Sequence, residues 1–125
     1  MERQIVAVRV RMVPVPADLA EDENKLDHQV TVDLIIDRLT RESVGRHMVF
    51  GIYGSPVRDD VAPFLLHPNG KVDFGNNAEP AERFEKCNVR SRRIEVGELA
   101  TWENDFTDWS LRIIAVQETP ELFRS

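Results

Sequence analysis

Arg93-Ile94-Glu95-Val96-Gly97-Glu98-Leu99-Ala100-Thr101-Trp102, then Glu103 to Asp108, then Trp109-Ser110-Leu111-Arg112-Ile113-Ile114-Ala115-Val116, is the stretch on which the fold reading turns. It holds both tryptophans and the densest apolar alternation in the chain. It reads as two strands joined by a short acidic loop, because alternation of period two sends successive side chains to opposite faces of a sheet. The first arm changes phase. Ile94 and Val96 share a parity that Leu99 does not, and Gly97 between them marks a bulge or tight turn. In the second arm Trp109, Leu111, Ile113 and Ala115 form one apolar face. The opposite face runs Ser110, Arg112, then Ile114 and Val116. This pattern predicts a central strand over 109–117, half exposed at its start and buried on both sides at its end.

Working outward, Gln4 to Val13 alternates with Val6, Val8, Val10 and Met12 on one face, and Arg9 and Arg11 on the wetter one. Pro14 and Pro16 end that strand. Residues 30–39 fit both a strand (Val30, Val32, Leu34, Ile36) and helical spacing (Val32, Ile35, Ile36, Leu39), and their β-branched density favours the strand. His47 to Gly54 reads as a further strand, with Met48, Phe50 and Ile52 opposite His47, Val49 and Tyr53. Gly51 within it marks a bulge or a close backbone approach. Residues 57–61 read as polar loop. Phe64-Leu65-Leu66-His67, Pro68-Asn69-Gly70 and Lys71-Val72-Asp73-Phe74 form a hairpin around an Asn-Gly turn. Pro80 at a helix start and Ala81, Phe84 and Cys87 at three-residue spacing predict one short helix near 79–87. The class is therefore all-β, mainly an antiparallel β-sandwich or partly open barrel with at most that helix, as one β-rich domain over 1–125 whose residues 118–125 fray.

Composition narrows the function classes. The chain has 125 residues, 42% hydrophobic and 30% charged, which suits one folded domain rather than disorder. A net charge of −6 argues against nucleic acid and against anionic membranes, both of which select positive charge. The single cysteine, Cys87, excludes an internal disulfide framework. The charged N-terminus has no apolar signal core, and no run approaches the roughly 18 apolar residues of a membrane-spanning helix, so a cytoplasmic location is expected.

No nucleophile elbow, phosphate loop, zinc spacing or EF-hand pattern is present, so neither catalytic nor metal residues nor a cofactor are assigned. Two groups of charges are candidates for contact with a protein partner. One is the acidic stretch containing Asp18, Glu21, Asp22 and Glu23, which equally serves solvation. The other is Arg90, Arg92 and Arg93, whose guanidinium forks grip carboxylates and phosphates, but which read equally as a charged edge strand protected against aggregation. Trp102, Glu103, Asp105 and Asp108 are the candidate residues for a ligand or cation site, since the loop gathers hard oxygens beside an aromatic ring. Three functions follow: a non-catalytic interaction module that binds a protein partner or stands in an assembly, a carbohydrate- or calcium-dependent ligand-binding domain, and an enzyme whose acid–base residues come from separate strands.

Overall fold

The computed structural model describes residues 4–15, 29–55, 60–75, 85–104 and 108–119. Eight strands follow one another: β1 (Ile5–Pro14), β2 (Val30–Asp37), β3 (Val49–Ser55), β4 (Asp60–Leu66), β5 (Val72–Asp73), β6 (Glu85–Cys87), β7 (Leu99–Asn104) and β8 (Asp108–Glu118). A 3-10 turn, Val89–Ser91, separates β6 from β7. All strand pairings are antiparallel, in the order β5-β4-β3-β2-β1-β8-β7-β6. The two ends of this sheet come together. Lys71 bridges Lys86, and the Cys87 N–H donates to the Gly70 carbonyl at 2.8 Å. The protein is thus all-β, an eight-stranded antiparallel sheet nearly closed into a barrel.

The alternation read from the sequence decides which side chains enter the core. Val6, Val8, Val10 and Met12 of β1 face Val30, Val32, Leu34 and Ile36 of β2, and all are buried. Residues 30–37 are therefore strand, as their β-branched content favours. The 64–74 hairpin forms as expected: the Gly70 N–H donates to the His67 carbonyl, and Gly70 takes the positive φ of 97° that a side chain would resist.

β3 turns its Val49 and Gly51 inward, leaving Met48 and Phe50 outside. Gly51 marks a close approach. A Cβ there would lie 2.3 Å from the ring of Phe64, its partner across the β3–β4 pair. Gly51→Ala is expected to lower unfolding free energy by about 2–3 kcal/mol, since overpacking forces the ring from its place. Urea titration checks this, and Gly51→Ala/Phe64→Leu should cost less than the sum of the two single changes.

Four expectations are corrected. Residues 85–87 are strand β6, paired with Trp102 to Asn104 of β7, where the spacing of Phe84 and Cys87 suggested helix; 79–84 lie outside the described residues. Arg90 lies in the 3-10 turn rather than on an edge strand. β4 already begins at Asp60, within the stretch read as polar loop.

The fourth concerns β8. It lies between β1 and β7, as expected for a central strand. Its far end is not buried on both sides. Met12 pairs with Ile113, but Arg11 pairs with Ala115, so Ile114 is an extra residue without a partner on β1. This bulge flips the pattern. Leu111 and Ile113 face inward before it, and Val116 packs on the core after it, while Ile114 is exposed. The strand runs on through Glu118, and the Thr119 N–H donates to the Ala7 carbonyl at 2.8 Å, which ties down the first residues of the expected frayed tail.

Candidate interaction surface

The two charge groups and the aromatic–acidic loop are placed very differently by the fold. Asp18, Glu21, Asp22, Glu23 and Asp105 lie outside the described residues. Arg90 is half-buried, and its guanidinium donates to the backbone carbonyls of His47 (2.6 Å), Leu66 (3.1 Å) and Gly45 (3.2 Å). Burial pushes its pKa down. It works as a clamp between the segment before β3, the end of β4 and the 3-10 turn. Arg92 donates to the Leu99 carbonyl and to Glu98, at 2.9 and 2.8 Å. Arg93 pairs with Glu95 at 2.7 Å and remains largely exposed. The three arginines are thus engaged by different neighbours, and they do not form a shared grip.

The sequence offers Trp102 both as a candidate ligand-site residue beside the loop carboxylates and as a core residue. In the structure it is fully buried. It packs against Phe64 and Tyr53, with ring centroids 5.6 and 5.3 Å away. Its indole Nε1 donates to Glu85 Oε1 at 3.0 Å inside the core. Burial, with Glu85 nearby, pushes the Tyr53 hydroxyl up to about 12. Glu103 is half-buried and is the register partner, on β7, of exposed Asp108 on β8. The structure therefore brings these two carboxylate residues together but turns the tryptophan away from them.

Among the described residues, no three His, Cys, Asp or Glu side chains gather closely enough to hold a metal ion. Nor is any helix among them long and apolar enough to cross a membrane. His67 approaches Asp73 at 3.4 Å on the hairpin. Cys87 is buried and its thiol is pushed up to about 11 by burial, so at neutral pH it is a protonated core side chain and a poor nucleophile.

A cleft of about 400 Å³ lies where the sheet ends meet, lined by Asn69, Lys86, Asn88, Arg90, Thr101 and Glu103 among others. Much of its polar equipment serves the fold itself. Asn88 Oδ1 accepts from the Thr101 N–H (2.7 Å), Asn69 Oδ1 from the Lys71 N–H (3.0 Å), and Arg90 is the clamp already described.

The feature that sequence reasoning missed lies on the outer face of β1–β4. Met48 just before β3, Phe50 of β3, and Val61 and Leu65 of β4 are 49, 48, 41 and 39% exposed. Phe50 pairs with Leu65, and Ile52 with exposed Pro63, so the apolar groups run side by side on two strands. Beside them a groove of about 380 Å³ lies over β2, with Phe50 and Ile52 on one side and Arg9 and Arg11 on the other. A smaller hollow of about 190 Å³ adjoins it around Met48, Phe50 and Ile35. It opens where β3 leaves β2, since the two strands pair only over Val30–Val32. The available signal was that β3 and β4 are apolar at both parities, more than one buried face requires.

Comparison of the chain with protein-family models, curated proteins and solved structures yields no match.

Proposed function

We propose that this chain is a non-catalytic β-domain that docks a protein partner, or takes its place in an assembly, through the outer face of β3 and β4. The reading treats the sheet as a partly open barrel whose inside is filled by side chains and whose outside does the binding. One observation carries it: four large apolar side chains, Phe50, Val61 and Leu65 on neighbouring strands and Met48 just before β3, stand exposed on one face. Single exposed apolar residues are ordinary, but a contiguous patch with a polar border marks a contact surface. Aromatic and methionine side chains suit that use, since they bring large area or adaptable shape to an interface.

The test is the double variant Phe50→Ser/Leu65→Ser. Both positions are outside the core, so the circular dichroism spectrum and melting temperature should stay close to those of the parent. Sedimentation and affinity capture should show the parent self-associating or retaining a partner, and the double variant doing neither. A parent that stays monomeric and captures nothing, or a variant that binds as the parent does, would remove the reading.

A further inference from the structure

We infer that the occupant of this face is a protein segment that sets apolar side chains beside a carboxylate, the apolar groups lying on Phe50 and Ile52 and the carboxylate on Arg11. The inference rests on the docking role proposed for the outer face and adds the chemistry of what docks there.

The argument is one of charge accounting within the groove. Three ionic groups line it: Arg9, Arg11 and Asp33. Arg9 and Asp33 neutralise each other. Arg9 Nε and its terminal nitrogen donate to the two Asp33 oxygens at 2.8 and 3.0 Å, and this pairing raises the Arg9 pKa. Arg11 is different. Among the described residues its guanidinium has only a neutral acceptor, Gln29 Oε1, at 3.3 Å. Among the described residues the uncompensated charge of the groove is therefore positive, in a chain whose net charge is −6. A guanidinium offers five donors in a planar fork that fits a carboxylate with two parallel bonds.

The opposite side excludes a purely ionic occupant. Phe50 and Ile52 offer apolar surface, and the smaller hollow on the other side of Phe50 extends it toward Met48 and Ile35. A segment laid along β2 thus meets apolar surface on both sides of the Phe50 ring and, across the groove, the Arg11 guanidinium, whose acceptor among the described residues is the neutral Gln29. Asp33 stands opposite Arg9 on β2 and Thr31 opposite Arg11, so the Arg9–Asp33 pair closes one end of the groove and leaves Arg11 at the other. Complementary charge of this kind chiefly selects the partner and speeds encounter, while the apolar contacts supply affinity.

Three synthetic peptides of about ten residues probe the full-length chain: alternating Leu and Glu, alternating Leu and Lys, and alternating Ser and Glu, titrated at fixed ionic strength and followed by backbone amide shifts in ¹⁵N spectra. The Leu/Glu peptide should perturb Arg11, Thr31, Phe50 and Ile52 and bind at least about tenfold more tightly than Leu/Lys, with Ser/Glu showing no saturable binding. Arg11→Glu should reverse that order, and Phe50→Ser should weaken both Leu-containing peptides. Equal binding of Leu/Glu and Leu/Lys at this face overturns the acidic occupant while leaving the docking face in place. Self-association that Phe50→Ser abolishes, with no peptide bound, makes a second copy the occupant and overturns the inference. No peptide at this face and a monomeric parent overturn both the inference and the docking role.

Discussion

Ile113→Asp is expected to leave the chain unfolded, with a coil-like far-ultraviolet circular dichroism spectrum and no cooperative urea transition. Ile113 is fully buried, and its strand β8 is flanked by β1 on one side and β7 on the other. Its cross-strand partner on β1 is Met12, itself fully buried. A carboxylate there would have to remain ionised without a partner or be held protonated, and either outcome costs several kcal/mol. The cavity left by the lost aliphatic groups adds about 2–4 kcal/mol. Together these rival the roughly 5–15 kcal/mol that stabilises a typical domain. Ile113→Val is the control, with an expected cost of about 1 kcal/mol and an intact fold. A well-folded aspartate variant would displace β8 from the core.

The second large effect is at Trp102. Trp102→Ala should cost about 4–5 kcal/mol, from the large buried ring and the cavity it leaves. Trp102→Phe is the more informative change. It keeps an aromatic ring against Phe64 and Tyr53 but removes the donor that the indole presents to Glu85. Its expected cost is about 2–3 kcal/mol, mainly the loss of a hydrogen bond to a buried carboxylate. Glu85→Gln made alongside it should give less than additive loss, because the two changes remove the same interaction. Urea titrations of the four proteins in this cycle measure the coupling. Fully additive costs would mean that the 3.0 Å contact contributes nothing to stability.

The elements legible in the sequence are those whose alternation has a clear inside and outside. β1 is the clearest case, with Val6, Val8, Val10 and Met12 buried and Arg9 and Arg11 exposed. The 64–74 hairpin was legible for a local reason, the Asn69-Gly70 turn. What could not be read depends on distant partners. β6 is three residues long and exists as a strand through its pairing with β7, so the helical spacing of Phe84 and Cys87 was a local coincidence. The phase shift at Ile114 is set by the register against β1, which alternation within β8 cannot reveal. The arginines at 90–93 invited a shared surface role, yet Arg90 is taken up by carbonyls 24 to 45 residues away in the chain.

The exposed apolar face of β3 and β4 was hidden for a related reason. Met48, Phe50 and Ile52 alternate with Val49, Gly51 and Tyr53, and either set would make an acceptable core face. The close packing of Gly51 on Phe64 turns the first set outward, and that contact joins two strands. Trp102 is the converse case. Its neighbours in sequence, Glu103 and Asp105, suggested solvent, whereas its period-two companion Ala100 is buried with it.

The meeting of the two sheet ends also gives the molecule a chemical clock. The Cys87 sulfur is buried beside the line where Lys71 meets Lys86, and its own N–H makes the 2.8 Å bond to Gly70 across it. A thiol reagent reaches that buried sulfur when this line parts or the whole chain unfolds. When labelling outpaces reclosing, the labelling rate at one native residue therefore counts how often the thiol becomes accessible, and comparison with the global unfolding rate separates local opening from unfolding.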